Sequence, residues 1–443
     1  MGSKKKVSKV TARSFLQNEI IAFYNQKCDH EHDTFEAVEL TNYTKLIEKV
    51  AKQLHEGTLK PSDLNSDLLT TILGDVKGAL ADGYGKSSSN YDTNAKSKLQ
   101  LNQNLYRFAG AKTFQELAKL NYFLGNKPSF ADFKKEALKV NEQYNVQYLQ
   151  TEFVTANRSG AMAEKWDKIQ SQKQLYPNLT YKTVKDKRVR DEHRNIDEIT
   201  KPVDDPFWDK WYPPNGWHCR CYVTQTDVEP TKGTPVGNPT PGFHGNVGKS
   251  NMVFNEDEHP YFIFPEADAK KIKASFEDLK LSTPDYNVVH TNKKATVEVS
   301  TWADPYDIEM NHKYAKILVD ELGISVKIKA HSEYIKDRKN PEYEINDLNS
   351  DLKNINSVKG ITNGFDNAKT QMGIGKNHYS IVFSLDNLKK IKLEDITKQL
   401  SNKFSATRGK NIDRVFFIRN GKAVELTRDN ILKKEYATLE AIL

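Results

Sequence analysis

Apolar and polar residues follow two different periods along this chain. From about residue 10 to 175 the apolar positions recur at helical spacing. In F-Q-E-L-A-K-L-N-Y-F-L, Phe114, Leu117, Leu120 and Leu124 predict one buried helical face. In S-F-A-D-F-K-K-E-A-L-K-V, Ser129 suits an N-cap, and Phe130, Phe133, Ala137 and Val140 form one stripe behind it. Between Gly85 and Asn94 the chain predicts a polar loop.

From about residue 285 the pattern changes. T-V-E-V-S alternates as a strand does. M-N-H-K-Y-A-K-I-L-V-D-E-L-G then puts Tyr314, Ile317, Leu318 and Leu322 on one helical face, closed by Gly323. I-S-V-K-I-K sets Ile324, Val326 and Ile328 on one side of a half-buried strand, and H-Y-S-I-V-F-S-L is another strand. D-R-V-F-F-I-R-N-G-K-A-V-E-L is a hairpin turning at Asn420-Gly421. Helices alternating with strands predict an α/β unit.

Composition subdivides the chain. Residues 177 to 230 are rich in Pro, Trp, Asp and Arg, and 229 to 250 are dense in Pro and Gly, which predicts a linker. The expected organisation is a helical part over 1–175, a Trp/Pro-rich region over 176–228, a linker over 229–280 and an α/β domain over 281–443. A length of 443 residues suits two or three domains. The formal net charge of +7 permits contact with nucleic acid without requiring it. Three cysteines are a poor count for a disulfide framework. No apolar run approaches the ~18 residues of a membrane helix, so no membrane span is expected. M-G-S-K-K-K-V-S-K-V has positive charges but no apolar stretch after them, so a standard secretory signal is not expected. Export would need another vehicle, and a particle is one.

The middle of the chain reads R-V-R-D-E-H-R-N-I-D, then D-D-P-F-W-D-K-W-Y-P-P-N-G-W-H-C-R-C. Phe207, Trp208, Trp211 and Trp217 suit a small core, and Pro213, Pro214 and Gly216 a tight turn. Cys219 and Cys221, with His193 or His218, are soft and borderline donors that suit zinc. Alternatively, C-x-C is only a buried strand end. Cys28, His30 and His32 in C-D-H-E-H-D form a second candidate cluster, with an exposed acidic loop as the competing explanation. On D-K-R-V-R-D-E-H, D-D-P-F-W, P-P-N-G-W-H-C-R-C and the preceding L-Q-T-E-F-V-T-A-N-R-S-G-A-M-A-E-K-W, residues 105 to 225 resemble the head-morphogenesis, or Mu F-like, minor capsid proteins of tailed bacteriophages. The resemblance implies association with the portal and the inside of the head.

The remaining chemistry is concentrated in N-P-E-Y-E-I-N-D-L-N-S-D-L-K, residues 340 to 353. As two strands joined at Asn346-Asp347, it puts Glu342 and Glu344 on one face, and Asp351 and Lys353 on one face of the second strand. If the two faces coincide, carboxylates that suit magnesium meet an ammonium that stabilises charge on a phosphate. Pro341-Glu342 and Asp351-Leu352-Lys353 match the P-(D/E)…(D/E)-x-K signature of restriction-endonuclease-like nucleases. Glu309, on the helix before, is a third candidate ligand, and Gln371, on the segment after, a further catalytic candidate. Lys369, Arg408, Lys410 and Arg414 are candidate nucleic-acid contacts.

Through H-K-Y-A-K-I-L-V-D-E-L-G, K-N-P-E-Y-E-I-N-D-L-N-S-D-L-K and F-D-N-A-K-T-Q, residues 285 to 430 resemble the C-terminal nuclease domain of contact-dependent inhibition toxins, often tRNA-cleaving. Position 342 carries Glu where that group usually has Asp. The expectation is a multidomain chain: a mainly α Mu F-like module, then an α/β restriction-endonuclease-like domain. Implied partners are tRNA or DNA, portal or capsid proteins and a cognate immunity protein. The implied route is synthesis in a bacterial cytoplasm, packaging in or on a phage-like particle, and action in a target-cell cytoplasm. The competing expectations are a non-enzymatic head protein that grips packaged DNA, and a nuclease that processes DNA during packaging.

Overall fold

The computed structural model describes residues 9–26, 41–126, 128–233, 237–332, 339–372 and 378–443, with backbone only for 9–15 and 371. The chain divides into two units. One comprises residues 1–88 and 100–279, the other residues 89–99 and 280–443.

The first unit is mainly helical. Its long helices are α1 (Lys9–Tyr24), α2 (Thr44–His55), α3 (Ser66–Tyr84), α4 (Ala95–Leu124), α5 (Phe130–Asn141), α6 (Leu149–Gln172) and α7 (Glu266–Ser282). Ser129 caps α5 as expected, its side chain accepting from the Asp132 amide. Gly160 lets α6 lie against α3, since a Cβ there would come 2.3 Å from the Leu80 carbonyl oxygen. A three-stranded antiparallel sheet joins β1 (Asn178–Lys182), β2 (Thr200–Pro202) and β3 (Tyr222–Thr226) in the order β2-β1-β3.

A buried ion pair lies in this core. Lys112 of α4 meets Glu152 of α6 at 2.6 Å, and neither side chain is exposed. The Lys112 ammonium also donates to the Tyr144 carbonyl, within a π-helical turn over Glu142–Tyr148. Glu152 accepts further from the hydroxyls of Tyr24 at 2.6 Å and Tyr261 at 3.1 Å. The pair therefore has its hydrogen bonds made.

The Pro/Gly-rich stretch expected to be a linker is packed into this unit. Asn104 donates to the Phe254 carbonyl, and Gln115 to the carbonyls of Tyr261 and Ile263. Phe254 stacks on Phe108, with 3.7 Å between ring centroids, and His259 is buried. Pro and Gly interrupt regular structure, but the aromatic residues between them still bury their faces.

The second unit has an eight-stranded mixed sheet. Its strands are β4 (Tyr286–Asn292), β5 (Ala295–Ser300), β6 (Val326–Ile328), β7 (Tyr343–Ile345), β8 (Leu348–Asn354), β9 (Tyr379–Ser384), β10 (Ile412–Arg419) and β11 (Lys422–Thr427). They lie side by side in the order β11-β10-β9-β8-β7-β6-β5-β4. The β6-β7 and β7-β8 pairs are antiparallel, and β8-β9 is parallel. The main helices are α8 (Ile308–Leu322), α9 (Val358–Met372) and α10 (Leu393–Lys403). Gly323 ends α8 in the left-handed region, φ 68°.

Strand alternation feeds two cores. Val326, Ile328, Tyr343, Ile345, Leu352 and Val382 pack with the inner face of α8. Ile381, Phe383, Val415 and Phe417 pack with Ile361 and Phe365 of α9 and Ile396 and Leu400 of α10. Tyr91, Ala95 and Leu99 join the α8-side core. Tyr91, within the segment read as a polar loop, thus contributes its ring to the core of the C-terminal unit. Residue 281 is accordingly not a full boundary.

Candidate functional site

Asn346 and Asp347 turn β7 into β8 with φ of 50° and 61°, the left-handed pair that a two-residue hairpin needs. The register pairs Tyr343 with Ser350 and Ile345 with Leu348. One step further along, Glu342 lies opposite Asp351, and its carboxylate accepts from the Leu352 amide at 3.2 Å. Because Leu352 turns to the α8 side, Asp351 and Lys353 take the other face. There they neighbour Ile381 and Phe383 of β9. Gly364 of α9 closes this face, since a Cβ there would come 2.5 Å from Phe383 and 3.5 Å from the Lys353 side chain.

Three candidate residues therefore meet. Asp351 is fully buried, and Lys353 Nζ lies 2.6 Å from its Oδ2. Neither Asp351 oxygen accepts a well-directed hydrogen bond. Burial first, and then the Asp351 carboxylate beside it, push the Glu342 carboxyl up to about 8. Tyr379 is a neighbour that sequence reasoning missed. Burial and then the Asp351 charge push its hydroxyl up to about 12. Only the parallel pairing of β9 with β8 brings it there, and no local pattern signals that.

The other candidates stand elsewhere. Glu309 is exposed in the first turn of α8. Ile308, Asn311, Ala315 and Leu318 are among the buried positions of that helix, which turns Glu309 outward. It lines a cleft with Tyr91, Asp92, His312 and Lys316 rather than joining Glu342 and Asp351. Among the described residues these three carboxylates form no common metal-sized cluster. Glu344 is ion-paired with Lys327 at 3.1 Å and Lys329 at 3.6 Å. Gln371 lies near the end of α9, described by its backbone alone. Lys369, Arg408 and Lys410 are exposed. The Arg408 guanidinium donates to the Asn402 carbonyl, and Arg414 is ion-paired with Glu425.

A second cluster lies in the helical unit. His193, on the short helix Asp191–Arg194, meets Cys219 and Cys221 just before β3. All three are buried. His193 Nδ1 is 3.8 Å from the Cys219 sulfur and 3.5 Å from the Cys221 sulfur. Arg220 between them turns outward to Asp186 at 2.6 Å. His218 points to Thr151 instead. Cys28, His30 and His32 lie outside the described residues.

The cluster falls within a recognisable class of sequence. Residues 129–224 match the family model described as Phage Mu protein F like protein. Among curated proteins, the chain is 37% identical over 75 residues to the putative capsid assembly protein F of Escherichia phage Mu. It is 35% identical over 75 residues to the Mu-like prophage FluMu F protein of Haemophilus influenzae. Each match spans 17% of this chain and 17% of the relative's own length. No solved structure matches the chain. Among the described residues no helix is long and apolar enough to cross a membrane.

Proposed function

We propose that this chain is a capsid-associated protein whose C-terminal unit is a metal-dependent nuclease acting on tRNA, with DNA as the alternative substrate. The first half of the reading draws on the Mu F-like segment at 129–224 and on relatives whose names describe capsid assembly. The second half rests on one observation. Glu342, across the hairpin, and Asp351 and Lys353, on the strand opposite, converge on one face of neighbouring strands. The succession α8-β6-β7-β8-α9-β9, with an antiparallel trio followed by a parallel strand, supports a restriction-endonuclease-like core.

The donor set suits a hard divalent cation. Both partners are carboxylates, and the buried Asp351 oxygens lack directed hydrogen bonds. Magnesium held there would stabilise charge on a scissile phosphate and acidify a water. Lys353 keeps its ammonium against Asp351 and would face the same phosphate charge. Glu342 must lose its proton to serve as a ligand. A nuclease of this kind needs a neighbouring immunity protein in its producer, and release into a target-cell cytoplasm to act.

The test uses the full chain, incubated with tRNA and with duplex DNA in magnesium, beside Asp351→Ala and Lys353→Ala. Cleavage by the parent alone supports the proposal, and the substrate cut decides between RNA and DNA. A non-enzymatic head protein is favoured by the burial of Asp351 under Lys353, which reads equally as a sealed ion pair. Parent and variants that are equally inert on both substrates would establish that second reading.

A further inference from the structure

We infer that His193, Cys219 and Cys221 hold a structural zinc ion inside the Mu F-like segment. The inference is independent of whether the C-terminal unit cuts nucleic acid. Zinc binds thiolate at about 2.3 Å and imidazole nitrogen at about 2.0–2.1 Å, so two such ligands at a tetrahedral angle stand about 3.6 Å apart. His193 Nδ1 stands 3.8 Å from one sulfur and 3.5 Å from the other. The three ligand atoms lie within 4.8 Å of one another, and among the described residues they are the one such group of His, Cys, Asp and Glu.

Besides a metal, only thiol hydrogen bonds, to each other and to the Tyr181 hydroxyl, draw these groups together. A thiol is a weak hydrogen-bond partner for an imidazole. His193 Nε2 is buried with no hydrogen-bond partner, so the far side of the ring does not fix its orientation. A metal on Nδ1 would. Both cysteines are free of disulfide bonds in the structure. The backbone around them is held in place from outside. Arg158 donates to the Cys219 carbonyl at 2.6 Å, and Arg190 to the Trp217 carbonyl at 2.8 Å. Two thiolates balance the charge of one zinc ion, so the site buries no net charge. Among the described residues no fourth His, Cys, Asp or Glu joins the group.

The place in the fold explains what the ion is for. Between β1 and β3 the regular structure is a four-residue helix at 191–194, the three-residue β2 and a five-residue helix at Phe207–Trp211. Such a segment has few backbone ladders of its own. A metal joining the short helix to the turn before β3 would close that loop, much as small metal-dependent domains are closed.

The experiment measures metal in the full chain purified without chelator, with Cys28→Ser as the background to remove the third thiol. About one zinc per chain is expected, released when a mercurial titrates two thiols. Cobalt exchanged into the site should give the visible bands of a tetrahedral thiolate centre. Cys219→Ser/Cys221→Ser should lose the zinc at least tenfold, and His193→Ala should weaken it. If those variants do not fold, the parent still decides through its zinc-to-thiol ratio and cobalt spectrum. A parent that takes up no zinc, that retains zinc when both thiols are modified, or that oxidises Cys219 to Cys221 in place of binding would overturn the assignment.

Discussion

Lys112 with Glu152 and Lys353 with Asp351 are the same chemical pair at the same distance, 2.6 Å in each. They are finished differently. In the helical unit Glu152 also accepts from Tyr24 and Tyr261, and Lys112 also donates to a carbonyl. In the sheet unit Asp351 has only the Lys353 ammonium and the Glu342 carboxyl against it, and Lys353 keeps 19% of its side chain exposed. A second carboxyl, Glu342, stands beside it with its proton held up to about pH 8. Buried charge with every lone pair occupied serves to fix a core. Buried charge with lone pairs left open is available to a ligand.

The contrast can be broken most sharply at Glu152. Glu152→Gln leaves the Lys112 ammonium buried without its hydrogen-bonded counter-charge, and should cost about 3–5 kcal/mol in chemical denaturation of the helical unit. Asp351→Asn should behave in the opposite way. On the nuclease reading proposed above, it should lower nucleic-acid hydrolysis by about 10²–10³-fold while shifting stability by under about 1 kcal/mol, because Lys353 can reach solvent. Equal stability losses at the two sites would erase the distinction.

A finer test uses pH. Glu342 has a folded-state value raised above its ordinary one, so the folded metal-free protein binds the extra proton between about pH 4.5 and 8. Its contribution is complete below that window and is lost as pH rises through about 8, at a slope of at most about 1.4 kcal/mol per pH unit. Glu342→Gln should flatten that slope in melts across the window. The smallest effect is expected at Glu344→Gln. Its pairs with Lys327 and Lys329 are partly exposed, so the change should stay below about 1 kcal/mol and leave hydrolysis untouched.

What could be read from the amino-acid sequence was local. The hairpin at 340–354, the glycine stop of α8, the cap at Ser129 and the 420–421 turn all follow from a few neighbouring residues. The meeting of Asp351 with Lys353 follows from period two alone. Glu309 failed that logic because one position on a helix turns a side chain by about 100°, and Ile308 rather than Glu309 took the inner face. Lys112 and Glu152 were invisible for a related reason. They are 40 residues apart, and charged residues within long helices look like solvated positions. His193 was legible only as a residue type, and the chain's return to it through Cys219 and Cys221 needed the fold.

Tyr91, Ala95 and Leu99 have a consequence for how such chains could be shuffled. They pack with strands and a helix nearly two hundred residues or more downstream. A single recombination junction near residue 280 would therefore give an incoming C-terminal unit three foreign anchor residues. An exchange that preserves the core must transplant two stretches of chain together, or select afterwards for new matches at positions 91, 95 and 99. The C-terminal unit, in this architecture, is keyed to a short stretch of chain that lies far upstream of it.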